Sequence, residues 1–333
     1  MPAPYPWQIT AWQELQRRAK EDNLPHALLF VGQKGCGKAD FAQQLANSLL
    51  CHSPDEGGKA CGTCQSCGLL AAGSHPDLRI MEPAEEGKAI LIDTIRSVGD
   101  FLSLKGHYGS RQIVIINPAE AMNRLAANSL LKTLEEPSPE ALIILVSSKP
   151  SLLLPTIRSR CQQILFLPPD TATGAKWLQN QVEDDVDGAA LLALGDGAPL
   201  EALRLYETGG MEARNRLVDL WVGVAEGREN PLTCAANWAD LGLPRALHWL
   251  SSWTMDLIRL KSGGSLDVIT NIDLAPRLQK IAVKSDLNRL FAQLEQITEY
   301  TRWAGGQLNA QLALEDLMIS WGRLGAVDRK TGT

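Results

Sequence analysis

The stretch ALLFVGQKGCGKA, residues 27–39, constrains this chain more than any other. An apolar run suited to a buried strand feeds straight into G-x-x-x-x-G-K, and FAQQLANSLL at 41–50 continues with apolar residues at helical spacing. Strand, glycine loop and helix in that order are what a phosphate-binding loop requires. Backbone N–H groups and a helix N-terminus cradle the phosphates, and a lysine reaches the terminal oxygens. Gly32, Gly35, Gly37 and Lys38 occupy those positions.

The magnesium end of the pattern is missing. A serine or threonine hydroxyl should follow the lysine, and the chain has Ala39. A carboxylate should close another apolar strand, yet QIVII at 112–116 is followed by Asn117 and Pro118. With both contacts gone, intrinsic catalysis is not expected, and ATP is expected to be unbound or held only weakly through Lys38. The loop then survives as a tight strand-to-helix turn that needs glycine. The alternative, an active ATPase with an atypical magnesium site, stays open at this point.

Further strand-like runs lie at 77–81, 112–116, 142–148 and 163–167, with helical patterns between them. That alternation predicts an α/β fold with a parallel sheet and helices on both faces. In AEAMNRLAANSLLKTLEEP, Met122, Leu125, Ala126, Leu130 and Leu134 are expected on one helical face that ends at Pro137. After PPD at 168–170 the strand runs stop. Leu247, Leu250, Trp253, Leu257 and Ile258 form one apolar helical stripe, and Leu287, Leu290, Phe291, Leu294 and Ile297 a second, both expected to be core.

Cys51, Cys61, Cys64 and Cys67 hold four of the seven cysteines within one short segment, three of them at C-x-x-C spacing. A redox pair needs two thiols and a catalytic zinc an open position, so this set suits a closed, structural four-thiolate Zn2+ site. His75 is surplus to it and reads as a turn residue before Pro76. Cys36, Cys161 and Cys234 are scattered and carry no assigned chemistry.

TIRSRCQ at 156–162 places Arg158 and Arg160 before the last strand run. A solvated basic pair is the plain reading of that stretch. In combination, GQKGCGK, the four-cysteine insert, ANSLLKTLEEP at 127–137 and SRC at 159–161 resemble, in order and spacing, bacterial clamp-loader subunits of the AAA+ superfamily. The missing metal ligands narrow the resemblance to the delta-prime family of DNA polymerase III, as distinct from its ATP-hydrolysing tau/gamma relatives. The resemblance implies a RecA-like P-loop domain over 1–168 with the cysteine module at 51–67. It further implies a small helical lid over 169–209 and a helical collar for oligomerisation over 210–333.

In that family the SRC arginine projects toward the γ-phosphate held by a neighbour, a role that falls on Arg160. An always-charged planar guanidinium suits it, because it stabilises charge developing on a transferring phosphoryl group. The lid arginine that senses nucleotide in relatives has no counterpart in GDGAPLEAL, 195–203. The implied partners are the tau/gamma and delta subunits and, through the assembly, the sliding clamp and primed DNA. DNA-directed polymerase (nucleotidyltransferase) chemistry would belong to the holoenzyme, since this chain offers no carboxylate pair for two metals.

A formal net charge of −6 argues against a surface that wraps duplex DNA over its whole extent. MPAPYPWQIT has neither the basic flank nor the apolar core of a secretory leader, and no apolar run is long enough to span a bilayer. A cytoplasmic protein without membrane partners is expected.

Overall fold

The computed structural model describes residues 3–85, 87–103, 106, 111–184, 186–239, 241–304 and 308–325. The chain divides into two compact units, Met1–Trp177 with Gly197–Glu201, and Leu178–Asp196 with Ala202–Thr333.

The first unit is built on five parallel strands, β1 (Ala27–Val31), β2 (Leu78–Met81), β3 (Gln112–Ile116), β4 (Ala141–Ser147) and β5 (Gln162–Leu165), in the order β2-β3-β4-β1-β5. The strand that leads into the glycine loop is therefore interior, with Leu29 level with Leu145 on one side and Gln163 on the other. Helices α1 (Ile9–Lys20), α2 (Lys38–Leu50), α3 (Gln65–Ala71), α4 (Ile92–Ser103), α5 (Arg124–Glu135) and α6 (Pro155–Arg160) accompany the sheet.

Alternation along the strands sorts the core into two layers. Leu28, Phe30, Ile113, Ile115, Ile144 and Val146 face Trp12 and Leu15 of α1 and Phe41 and Leu45 of α2. Leu29, Val114, Ile116, Ile143 and Leu145 face Ile95 and Val98 of α4, Leu130 of α5 and Ile157 of α6. Burial on both faces explains why β1, β3 and β4 read as unbroken apolar runs. Each such side chain, fully buried, contributes roughly 1.5–3 kcal/mol.

The expected elements form, with shifted ends. The run at 163–167 pairs only as Gln162–Leu165, and Leu167 lies exposed beyond it. Helix α5 starts after Met122, because the Asn123 side chain accepts the Ala126 N–H at 2.8 Å and caps it there. Its buried stripe is Ala126, Ala127, Leu130 and Leu134, which leaves Leu125 63 % exposed, against the sequence expectation.

The second unit contains helices and no strand among its described residues. Trp221, Trp238, Trp253 and Trp321 form its centre; Trp221 and Trp321 stack at 4.1 Å, and the Trp321 indole donates to the Trp221 carbonyl at 2.9 Å. The stripe of helix Leu243–Lys261 is buried as expected at Leu247, Leu250, Trp253 and Leu257. Helix Leu287–Trp303 is rotated from expectation: Phe291 is 51 % exposed, while Gln293 is buried and donates to the Leu317 carbonyl at 3.1 Å. A polar side chain enters the core there because a helix carbonyl supplies its partner.

A polar network anchored on the buried Arg214, Asp256 and Asn271 crosses this unit and reaches the surface at Asp273 and Arg259. Arg214 donates to Asp273 and to Asn271 at 2.7 Å each, and Asp256 accepts the Thr270 and Asn271 backbone N–H groups and Arg259 at 3.0 Å. No helix among the described residues is long and apolar enough to cross a membrane.

Candidate functional site

The glycine loop stands where the sequence puts it, between β1 and α2, and its own chain closes over it. Trp7 Nε1 and Gln8 Nε2 donate to the Cys36 carbonyl at 3.1 and 2.9 Å, and Gln8 Nε2 also reaches the Gly37 carbonyl at 2.9 Å. The Tyr5 hydroxyl donates to Asp40 in the first turn of α2 at 3.0 Å; burial, then the Asp40 charge, pushes its pKa up. Tyr5 stacks on Trp7, and Trp177 meets both rings edge-on. From another direction the Leu200 N–H donates to the Gly35 carbonyl at 3.1 Å.

Gly37 has φ +79°, and a Cβ there would come within 2.6 Å of the Tyr5 ring and 2.7 Å of the Gln8 amide. A Cβ on Gly35 would come within 2.7 Å of the Glu201 Cβ. The glycines therefore serve close contacts made by this chain itself.

Lys38 is buried and turned inward. Its ammonium donates to the Gln33 carbonyl at 2.7 Å and to Ser148 Oγ at 3.1 Å, bridging the loop to the end of β4. Burial lowers its pKa, partly offset by the charges of Cys36 and Glu120. Asn117, at the end of β3, donates its backbone N–H to the Met81 carbonyl at 3.0 Å.

Glu120 is a carboxylate the sequence reading missed. It returns through the 3-10 turn Ala119–Ala121, and its Oε1 accepts the Ser148 and Lys149 N–H groups at 2.9 and 3.1 Å. Spacing along β3 gave no signal for it, because the turn that folds it back is set by packing.

Arg160 is the last residue of α6. Ile157 and Cys161 on either side are buried and anchor the segment, and burial pushes the Cys161 thiol up to about 12. The Arg160 guanidinium donates to Glu135 Oε1 at 2.6 Å and to the Thr156 carbonyl at 3.1 Å, with its side chain 36 % exposed. Both bonds are exposed to solvent.

The four cysteine sulfurs all lie within 4.8 Å of one another. Measured pairs are Cys51–Cys64 and Cys61–Cys67 at 3.9 Å and Cys51–Cys67 at 3.6 Å. Metal–sulfur bonds of about 2.3 Å in a tetrahedron give sulfur–sulfur edges of roughly 3.8 Å, so the donor set fits a single ion. Backbone N–H groups already point at the sulfurs: Cys61 to Cys51 at 3.2 Å, Cys64 to Cys61 at 3.4 Å and Cys67 to Cys64 at 3.4 Å. Hydrogen bonds led by those from Thr63 and Cys64 bring the Cys61 thiol down to about 5, whereas burial pushes Cys67 up to about 12.

The loop between Cys51 and Cys61 is tied to the core. The Trp12 indole donates to the Gly57 carbonyl at 2.9 Å, Ser48 Oγ donates to the Gly58 carbonyl, and Gln16 donates to Ser48 at 2.8 Å.

His75 corrects the sequence reading. Far from being a spare turn residue, it is buried, with Nε2 3.0 Å from Ser66 Oγ and Nδ1 accepting the Asp77 N–H at 3.1 Å. Burial lowers its pKa, which favours the neutral ring. Nothing in the spacing pairs it with Ser66; only the docking of α3 beside β2 does.

Together these features define a parallel α/β domain with a glycine loop between β1 and α2, extensive helical regions and a four-sulfur cluster able to chelate a metal. The profile for "DNA polymerase III, delta subunit" matches residues 7–170, and that for "DNA polymerase III, delta subunit, C terminal" matches residues 209–323. The DNA polymerase III subunit delta' of Pseudomonas aeruginosa is 36 % identical over 96 % of this chain and 98 % of its own length. The subunit of the same name from Escherichia coli K12 is 33 % identical over 95 % of this chain and 94 % of its own. The chain belongs to the delta-prime subunit family of DNA polymerase III.

Proposed function

We propose that this chain is a non-hydrolysing subunit of the DNA polymerase III clamp loader. It acts as a scaffold beside tau/gamma and delta subunits and donates Arg160 in trans to a neighbour's ATP site, so that the sliding clamp is loaded onto primed DNA. Residues 1–168 serve as the P-loop domain, 169–209 as a lid and 210–333 as an oligomerising collar. The cysteine module at 51–67 holds a structural Zn2+ through Cys51, Cys61, Cys64 and Cys67.

The observation that carries this reading is the contrast within one domain. Gly32, Gly35, Gly37 and Lys38 keep the cradle, but Ala39 and Asn117 stand where the two magnesium ligands are expected, and the Lys38 ammonium is engaged by Gln33 and Ser148. Arg160 meanwhile sits at the half-open end of a helix, held by an exposed ion pair to Glu135. Exposed pairs of this kind contribute about 0–1 kcal/mol, so Arg160 can exchange Glu135 for a phosphate at small cost.

Arg160→Ala in the reconstituted complex tests the proposal. Assembly should persist, while the ATP site that receives the arginine loses on the order of 10³-fold in turnover. The measurement is DNA-stimulated ATPase activity at equal complex concentration, and unchanged turnover removes the trans role.

A further inference from the structure

The cysteine ligands arrive from two directions. Cys51 follows the last residue of α2, whereas Cys64 caps α3 and Cys67 lies in its first turn. Four sulfurs that ionise together repel one another, and closing the intervening loop carries an entropy cost. A contact that holds the two ends in register reduces both costs.

Ser66 lies between Cys64 and Cys67 and is fully buried, and its hydroxyl donates to the Leu50 carbonyl at 2.6 Å, directly before Cys51. That donation uses the hydroxyl's single proton, so toward His75 Nε2, 3.0 Å away, Ser66 Oγ can only accept. His75 Nδ1 accepts the Asp77 N–H at 3.1 Å, which leaves the ring proton on Nε2. Every role in the series is thereby assigned: Asp77 N–H to imidazole, imidazole to hydroxyl, hydroxyl to the carbonyl beside the first ligand.

We infer that His75 and Ser66 are positioning residues of the metal centre, a directional relay that fastens the Cys64–Cys67 turn to Cys51 and to β2. The relay preforms the four-sulfur cluster and slows departure of a bound ion. Partners that orient ligands in this way commonly change metal affinity about 10–100-fold when removed. The inference rests on the proposed Zn2+ reading in one respect, that a thiophilic ion occupies the four sulfurs.

The test uses the full chain as wild type, Ser66→Ala, His75→Ala and His75→Gln. Cobalt(II) reports tetrahedral sulfur coordination by its visible bands, and a chromophoric chelator times the release of zinc. Wild type should show the tetrahedral cobalt spectrum. Ser66→Ala and His75→Ala should keep that spectrum but release zinc roughly 10–100-fold faster. His75→Gln, whose amide can still donate to Ser66, should recover most of the retention. Wild-type chain that takes up no cobalt overturns the metal reading and this one with it. Normal wild-type uptake with unchanged release in the alanine variants overturns the relay alone, as does His75→Gln releasing as fast as His75→Ala. Ser66→Ala removes a single oxygen, so it carries the test even where His75→Ala fails to fold.

Discussion

The glycine loop and the cysteine insert lie in the same unit and were both legible as motifs, yet they have met opposite fates. The loop's lysine is satisfied from within, by Gln33 and Ser148, its carbonyls are tied to Trp7, Gln8 and Leu200, and Ala39 and Asn117 offer magnesium no ligand. The insert's sulfurs are gathered but not used up: backbone N–H groups aim at them, the sulfur–sulfur distances match a tetrahedron's edges, and the free thiols form no disulfide. A motif states which ligand a backbone could hold. Whether it does so depends on whether the other ligands of the same site are present and free.

The comparison can be broken most forcefully at the cluster. Cys64→Ser should reduce metal affinity by more than the roughly 10–100-fold typical of losing an outer partner, and should strip amide protection from α3, Gln65–Ala71. Elemental analysis with hydrogen exchange reads both, and full metal content in that variant would contradict a four-thiolate site.

A smaller effect is expected at the loop. Gly37→Ala forces a Cβ onto φ +79° and against Tyr5 and Gln8, for a loss of about 1–3 kcal/mol in denaturant unfolding with metal content unchanged. Equal stability would show that the Tyr5 and Gln8 contacts are dispensable. The smallest effect sharpens the contrast: Ala39→Ser restores the magnesium hydroxyl yet should give the isolated chain no measurable magnesium-dependent ATP hydrolysis, because Asn117 still stands in place of the strand-end carboxylate. Brisk turnover in either the wild type or this variant would revive the reading of an atypical active ATPase.

Much of the site was readable beforehand. The glycines, Lys38 and the four cysteines form local patterns whose spacing is itself the chemistry, and β1, β3 and β4 announced themselves as apolar runs because both of their faces are buried. Leu125 and Phe291 were misjudged for a common reason. Helical periodicity names a face to within about a quarter turn, and small neighbours such as Ala126 or a carbonyl that receives Gln293 decide which side goes inward. His75, Glu120 and the aromatic group of Tyr5, Trp7 and Trp177 were missed because each acts on residues far along the chain.

From the order of residues alone came the parallel α/β class, the cradle without its metal ligands, the set of sulfurs and the arginine before β5. Each of these is a short-range property, set by backbone geometry and side-chain chemistry over a few consecutive positions. Folding in three dimensions assigned the partners: Gln8 and Leu200 to the loop carbonyls, Glu135 to Arg160, and His75 to Ser66 within the four-cysteine segment. Such pairings join segments whose separation carries no periodic signal, and they exist only once the sheet and its helices have brought the partners within hydrogen-bonding distance.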